Sequence, residues 1–380
     1  MAGDEIFPPN KIPSRVHHLP TVASFHATAE LVDEITTPGA GQIRAVFIVG
    51  GNPVVSDPDG AALDRALSGV DLLVAVDLVQ RESHRHAGWL IPAAHWLERE
   101  EFHPLLSGLG ERAFAQFGRE VVSTPATVMH EWEFLRDLAI ELDAPLLGRR
   151  GVNLLARSSR VVARRTGNPH HAFGPAWMAR VLMLRSRGVR WRDIKRAPHG
   201  LTYGECRPGA LRQRMANLGR AIDVAPKDLV DLLLQRMAEP ATAVLSEFPL
   251  QLLSRRRRQT MNSWLGEITA ARHRNLTAGR IEIQPAVDAQ LGIRDGHEVR
   301  VTSRTASLLA TAAYSPDIRA DTAVIEQGWG SRVFDPGSGH SQAQGVNRNV
   351  LVANDDLDPL SSVPRLNGSP IRIEKMTAWC

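Results

Sequence analysis

Three places in the chain carry side chains whose types and spacing suit chemistry on an anionic ligand. The first is Gly50-Gly51-Asn52-Pro53, which closes the β-branched run Ile43 to Val49. Glycines let a backbone approach a ligand closely, and free amides ahead of a helix point toward negative charge. The pattern is not G-x-G-x-x-G, so the usual dinucleotide fingerprint is absent, and a turn that simply needs small residues is the competing reading. The second is Asp77, at the end of the apolar stretch Leu72 to Val76. An acid there can accept hydrogen bonds from a ribose diol or a guanine edge, or can cap a turn. The third is Arg255-Arg256-Arg257-Arg258, directly before Gln259-Thr260-Met261-Asn262-Ser263-Trp264. Guanidinium forks match phosphate oxygens, although a run of arginines is also an ordinary solvated turn. A nucleic-acid site needs a wider basic face with aromatic platforms, and aromatics make up only 5% of this chain. His84, His86, His95 and His103 fall within twenty residues, but no pair has the helical i, i+4 spacing of a zinc site; loop or surface histidines are expected.

Elements must hold these groups in place. Ala29 to Ile35 predicts a short helix ending near Pro38-Gly39. Ile43–Val49 and Leu72–Val76 read as buried strands with a helix over Ala61–Ser68 between them, and Trp89-Leu90-Ile91-Pro92 suggests a third strand. Strands alternating with helices imply a parallel sheet with crossovers. His130 to Leu142 predicts a helix with Trp132, Leu135, Leu138 and Ala139 as its apolar stripe. From about 146 to 240 helical patterns, such as 176–184 and 227–237, alternate with arginine-rich stretches. After Pro240 the pattern becomes short alternating strands at 280–283, 298–303, 307–312 and 322–325. Turn signals such as Arg294-Asp295-Gly296 separate them, which suggests a small barrel.

The composition excludes several classes. With 380 residues, 43% hydrophobic and 23% charged, the chain reads as a two-domain globular protein with an added helical segment. No run approaches the roughly 18 apolar residues of a membrane helix, and Asp71 and Asp77 interrupt the best one. No basic segment followed by an apolar one marks the N-terminus, so a cytoplasmic chain is expected. Two cysteines, Cys206 and Cys380, are too few for a cysteine-held cluster, and a disulfide is not expected. The net charge of +4 suits an anionic ligand or a simply arginine-rich surface.

Taken in order, 42–104 and 252–300 resemble the C-terminal half of the molybdopterin-guanine-dinucleotide oxidoreductases, the formate dehydrogenase, periplasmic nitrate reductase and dimethyl sulfoxide reductase group. The resemblance rests on the Gly-Gly-Asn turn, the strand-end Asp, and Leu90-Ile91-Pro92 with the segment after it. It rests also on the Ser254–Ser263 loop, the stretch Ile281 to Gly296, Gly328-Trp329-Gly330 and Asn347-Arg348-Asn349-Val350-Leu351. It covers 41–145 and 241–380 well and the region between loosely. It implies an α/β fold: a Rossmann-like parallel-sheet domain, a helical connector, and a β-barrel of double-psi type. The corresponding boundaries are 1–40 as the remnant of a preceding domain and 41–145 as the guanine-nucleotide-binding domain. Residues 146–240 are then the connector, and 241–380 the molybdopterin-dinucleotide-binding barrel.

By the same resemblance, the cofactor-binding residues are Asn52, Asp77, Arg99 and Glu131, then Ser254, Arg256, Thr260, Asn262 and Ser263, and finally Trp329 and Asn349. Arg99 and Glu131 stand where the family commonly has Lys and Asp. Gly88 replaces a common acid, Arg255 a common Gly, and His297 the acid that usually follows the final Gly of its motif. The implied cofactor is molybdopterin guanine dinucleotide as a bis-dinucleotide molybdenum complex. The iron–sulfur cluster and metal ligand belong to an N-terminal region absent from this sequence. The expected partners are therefore the pterin dinucleotide and an N-terminal catalytic part or subunit, with no nucleic acid and no membrane span. The chain is expected to bind cofactor without redox turnover alone; the alternatives are a stand-alone nucleotide or cofactor carrier, and an NAD-dependent dehydrogenase, which the missing fingerprint disfavours.

Overall fold

The computed structural model describes residues 12–21, 25–103, 112–125, 127–148, 150–166, 174–183, 189–205, 208–219, 221–238, 247–263, 265, 279–287, 291–335, 339–340 and 343–376. Cys206 and Cys380 lie outside the described residues. The chain divides into two compact units, one formed by 1–90 with 242–380 and the other by 91–241.

The first unit begins with helix α1 (Leu31–Thr36), strand β1 (Ala45–Val49), the one-turn helix α2 (Pro53–Ser56), helix α3 (Gly60–Ser68) and strand β2 (Leu72–Asp77). β1 and β2 pair in parallel with Ala45 opposite Leu72 and Val49 opposite Val76, and β3 (Trp89–Pro92) is the third strand of the sheet. The Asp59 carboxylate caps α3 by accepting from the Ala62 amide at 3.2 Å. Leu63, Ala66 and Leu67, at i, i+3 and i+4, then face Ile35, Ile48 and Leu73 in one apolar cluster. Such burial is worth ~2 kcal/mol for each large aliphatic side chain. This packing sets the ends of β1 and β2 side by side, with the Gly50-Gly51-Asn52 turn next to Asp77.

The second unit follows in sequence. It holds β4 (Glu101–Phe102), β5 (Ala113–Ala115), β6 (Phe117–Gly118), α4 (Glu131–Glu141), α5 (Arg150–Thr166), α6 (Pro175–Met183), α7 (Trp191–Arg196), β7 (Leu201–Gly204), α8 (Ala210–Asn217) and α9 (Lys227–Ala238). β4 pairs with β6 and β5 with β7, both antiparallel. The strand β7 was not expected in a helical stretch; its partner lies about ninety positions earlier, a distance at which a four-residue run carries no readable signal. The helix at 131–141 is as expected, but its inward face is not. Glu133, Arg136 and Ile140 are buried, and Leu135 is exposed. Glu133 is drawn inward because its carboxylate accepts from the His130 amide at 3.2 Å, closing the helix start.

The chain then re-enters the first unit as a closed six-stranded barrel, in the order β10-β11-β9-β12-β8-β15. Its strands are β8 (Leu250–Arg255), β9 (Arg280–Ile283), β10 (Glu298–Ser303), β11 (Ser307–Tyr314), β12 (Thr322–Glu326) and β15 (Ser369–Lys375). A small hairpin, β13 (Phe334–Asp335) with β14 (Gly339–His340), precedes the last of these. Two parallel pairings, β11 with β9 and β12 with β8, are set among antiparallel ones. Period-two alternation sends Leu250, Leu252, Ile281, Ile283, Val299, Val301, Ile371 and Ile373 inward, and β12 is buried along its whole length. Closure leaves no strand edge and fixes the loops that follow β8 and β12.

Candidate functional site

At the ends of β1 and β2 a polar network forms around the 3-10 turn Glu82–His84. The Asn52 amide donates to Glu82 Oε2 at 3.0 Å and to Ser331 Oγ at 3.1 Å. Its oxygen accepts from the Ser83 hydroxyl at 2.7 Å and the Ser83 amide at 3.2 Å. Ser331 Oγ donates to Glu82 Oε2 at 3.1 Å and accepts from Arg81 at 3.2 Å; Glu82 Oε1 takes the Arg332 amide at 2.6 Å. This knits the Gly-Gly-Asn turn to the loop after β12. His84, expected as a surface histidine, is fully buried. Its Nδ1 accepts from the Arg81 amide at 3.2 Å, so Nε2 carries the proton and donates to the Gly51 carbonyl at 2.8 Å, with Asp77 Oδ2 at 3.7 Å. Asp77 also accepts from the Leu78 amide at 2.6 Å. The turn therefore brings Asn52 and Asp77 together through Ser83 and His84. Gly50 has φ +61°, and among the described residues the amides of Gly51 and Asn52 have no hydrogen-bond acceptor. Two adjacent unbonded amides on such a turn suit an anion.

The other histidines have local roles. His86 contacts Asp64 at 3.1 Å, His103 contacts Glu101 at 2.8 Å, and His95 Nδ1 accepts from the Leu97 amide. No group of three or more metal-ligating side chains exists among the described residues.

Arg99 and Glu131 lie in the second unit and pair with each other at 3.1 Å, and Arg99 also holds Glu101 at 2.6 Å.

The loop after β8 is the second focus. Arg255, in place of the family's glycine, turns its side chain to Glu282 of β9. Arg257 pairs with Glu326 of β12, whose other oxygen takes the Trp329 indole N–H at 3.3 Å. Trp329 is 3% exposed, a buried wall of the loop. Arg256 is exposed and donates to Asn262 Oδ1 at 2.6 Å; Thr260 is buried and donates to the Arg257 carbonyl at 3.1 Å. Ser254 donates its amide to Asn367 at 2.8 Å, and Ser263 is half-buried with no hydrogen bond among the described residues. Met261 and Asn262 both have positive φ, +44° and +60°. Gly328, φ +91°, packs directly on the Asn262 carbonyl, where a Cβ would overlap it. His297 Nδ1 accepts from the Arg294 amide at 2.9 Å and so closes its own turn.

Asn349 donates both amide hydrogens to the Val55 and Ser56 carbonyls, at 3.0 and 2.9 Å, and accepts from Arg348 at 3.3 Å. It joins the barrel to α2. Arg348, only 2% exposed, donates also to the Leu366 carbonyl at 2.6 Å, and no carboxylate meets it among the described residues; burial holds its guanidinium down at about 10. Beside α2, burial raises the Asp57 carboxyl above its ordinary value against opposing hydrogen bonds from Thr28 and Ser56, and its Oδ2 has no partner. Sequence reasoning missed Glu82, Ser83, Ser331, Glu326 and Arg348. Ser331, just after Gly328-Trp329-Gly330, and Arg348, inside Asn347-Arg348-Asn349, each had a signal in its place beside a motif.

Comparison with known proteins fits this geometry. Residues 250–370, which cover the barrel from β8 to the start of β15, match the molydopterin dinucleotide binding domain, and residues 7–141 match the molybdopterin oxidoreductase model. The chain is 21% identical over 350 residues to the F420-dependent formate dehydrogenase 1 subunit alpha of Methanococcus maripaludis, covering 91% of this chain and 45% of that protein. It is 23% identical over 338 residues to the assimilatory nitrate reductase catalytic subunit of Bacillus subtilis, covering 88% and 42%. The chain thus spans less than half the length of these relatives. Acetylene hydratase from Pelobacter acetylenicus shares the fold, with TM-score 0.59 and 18% identity, over 98% of this chain and 50% of that one.

Proposed function

We propose that this chain, which belongs to the molybdopterin oxidoreductases, binds the guanine-nucleotide and pyrophosphate portions of a molybdopterin guanine dinucleotide within a formate dehydrogenase-like enzyme. The observation that carries the reading is the coincidence of the matched dinucleotide-binding stretch with a closed barrel whose loops lock onto the Gly50-Gly51-Asn52 turn. In this reading the sheet is Rossmann-like, the barrel is of double-psi type, and the domains divide at about 41, 146 and 241.

The residues present fit such a group. The unbonded amides of Gly51 and Asn52 can receive a phosphate oxygen, and Asp77 offers a carboxylate to a ribose or guanine edge. Arg256 presents an exposed guanidinium beside Asn262. Asn52, Trp329, Thr260 and Asn349 act by holding those loops, since their polar atoms already have protein partners. When bound, the molybdenum pterin supplies two-electron redox chemistry. Two cysteines are too few for a cysteine-held cluster, so we assign the iron–sulfur cluster and the metal-ligand side chain to an N-terminal partner segment or subunit.

Calorimetric titration of the 380-residue chain with guanosine diphosphate tests the reading. Saturable binding, about tenfold weaker after Asp77→Ala, is expected. No binding, or binding indifferent to Asp77, overturns it, and equal affinity for adenosine diphosphate overturns the guanine assignment. Turnover of formate or nitrate by the chain alone would overturn the need for a partner.

A further inference from the structure

The second unit contains a cavity of about 440 Å³ lined by Arg119, Arg180, Trp191, Arg192, Lys195 and Arg196. Its construction follows from short-range periodicity. On α7, Trp191 and Ile194 turn inward, and Ile194 is fully buried. Arg192, Lys195 and Arg196, at i, i+3 and i+4, therefore share the other face. On α6, Ala176, Ala179 and Met183 face inward, with Ala176 and Met183 against the same apolar cluster, and Arg180 is exposed beside them. Arg119 follows β6 and is tied to α7 by its bond to the Lys195 carbonyl at 3.2 Å. Trp191 packs edge-on between Phe102 and Phe117, with ring centroids 5.2 and 5.1 Å away, and forms part of the floor.

Five cations thus surround one basin. Among the described residues the only carboxylate paired with any of them is Asp193, 3.8 Å from Arg192. Like charges gathered this closely repel one another, and an anion relieves that repulsion. Four of the five are arginines, whose planar forks match phosphoryl oxygens. The volume lies in the usual small-ligand range.

We propose that this basin binds a compact polyphosphorylated anion, in a site separate from the loops of the first unit. Residues 180–196 fall outside both matched family stretches.

The test is titration of the full chain with inorganic pyrophosphate, at low and at moderate salt. Saturable binding is expected, with one component weakened about tenfold by the double substitution Lys195→Glu with Arg196→Glu. Arg180→Gln, on a different helix, should weaken it as well, which covers the case that the double variant fails to fold. Pyrophosphate held by the Gly51 and Asn52 amides would survive these substitutions, so the loss they cause reports on the basin alone, and this site and the nucleotide reading fail independently. Pyrophosphate that does not bind, or that binds equally to the Lys195/Arg196 and Arg180 variants, overturns the proposal. A single-stranded oligonucleotide that binds where pyrophosphate does not would overturn it too, making the face a nucleic-acid surface.

Discussion

Two basic clusters among the described residues are built in opposite ways. Arg255 to Arg258 are consecutive, yet Arg255 is paired with Glu282, Arg257 with Glu326, and Arg256 with the Asn262 amide oxygen. The basin of Arg119, Arg180, Arg192, Lys195 and Arg196 comes from three separate segments and holds one distant carboxylate among its described neighbours. A charge run in sequence is a statement about proximity, not availability. In the first cluster opposite charges on neighbouring strands make Arg255 and Arg257 part of the loop's framework, while Arg256 and Arg258 stay exposed. In the second, helical spacing collects cations that the fold does not neutralise.

If the first cluster is framework, damage to it should cost folding stability. The largest effect belongs to Gly328→Ala. At φ +91° an L side chain is strained, and its Cβ would overlap the Asn262 carbonyl oxygen. A loss of about 4 kcal/mol is expected from urea unfolding, and a near-neutral result would mean that the loop's left-handed residues are not held by this packing. Next comes Glu326→Ala, which strands the Arg257 guanidinium and the buried Trp329 indole N–H together. Arg257 keeps some solvent, so a loss of about 2–3 kcal/mol is expected in the same measurement. Arg257→Met with Glu326→Leu should recover part of it, because removing both charges leaves only the indole unpartnered.

Much of this architecture was readable from the chain. Period-two alternation placed β9, β10 and β11 almost to the residue, because a barrel with a single apolar interior imposes that pattern directly, and the apolar run of β12, buried on both faces, was legible between its turn signals. The Gly-Gly-Asn turn and the strand-end Asp77 were legible for a similar local reason. What could not be read is who partners whom. Ser331 meets Glu82 across 249 positions, and Asn349 meets Val55 across 294, and nothing in a single sequence encodes such pairs. Trp329 and Asn349 were expected to face the ligand; the structure places one inside the loop and the other against α2. The inward face of α4 was misjudged because a capping carboxylate and an arginine outcompeted Leu135 for burial.

A smaller effect comes from α2, where Asp57 is the reverse of a framework charge. Burial raises its carboxyl, so folding penalises the ionised form. That penalty is absent below the ordinary carboxyl value and fully present above the raised one, so Asp57 works against the fold at neutral pH. Asp57→Asn should therefore stabilise the chain near pH 7 by an amount on the order of 1 kcal/mol, because it removes the buried charge while its amide oxygen can still accept from Thr28 and Ser56. The gain should shrink as pH falls through the raised carboxyl range. A gain that stayed constant with pH would assign the effect to packing instead.

The smallest change in stability is expected where the comparison predicts none. Lys195→Ala with Arg196→Ala removes two exposed cations from the last turn of α7 and one contact of Lys195 Nζ over the Phe117 ring at 5.3 Å. The lost ring contact and the lost favourable charge at the helix end oppose the relief of repulsion within the basin. The unfolding free energy should stay within about 0.5 kcal/mol of the parent. Salt separates the terms: screening weakens repulsion among exposed charges more than it weakens partly buried pairs. Added sodium chloride should therefore stabilise the parent more than the double variant, while Glu326→Ala keeps its deficit at every ionic strength. Equal salt dependence in parent and double variant would show that the basin's cations are already compensated, and would remove the distinction between the two clusters.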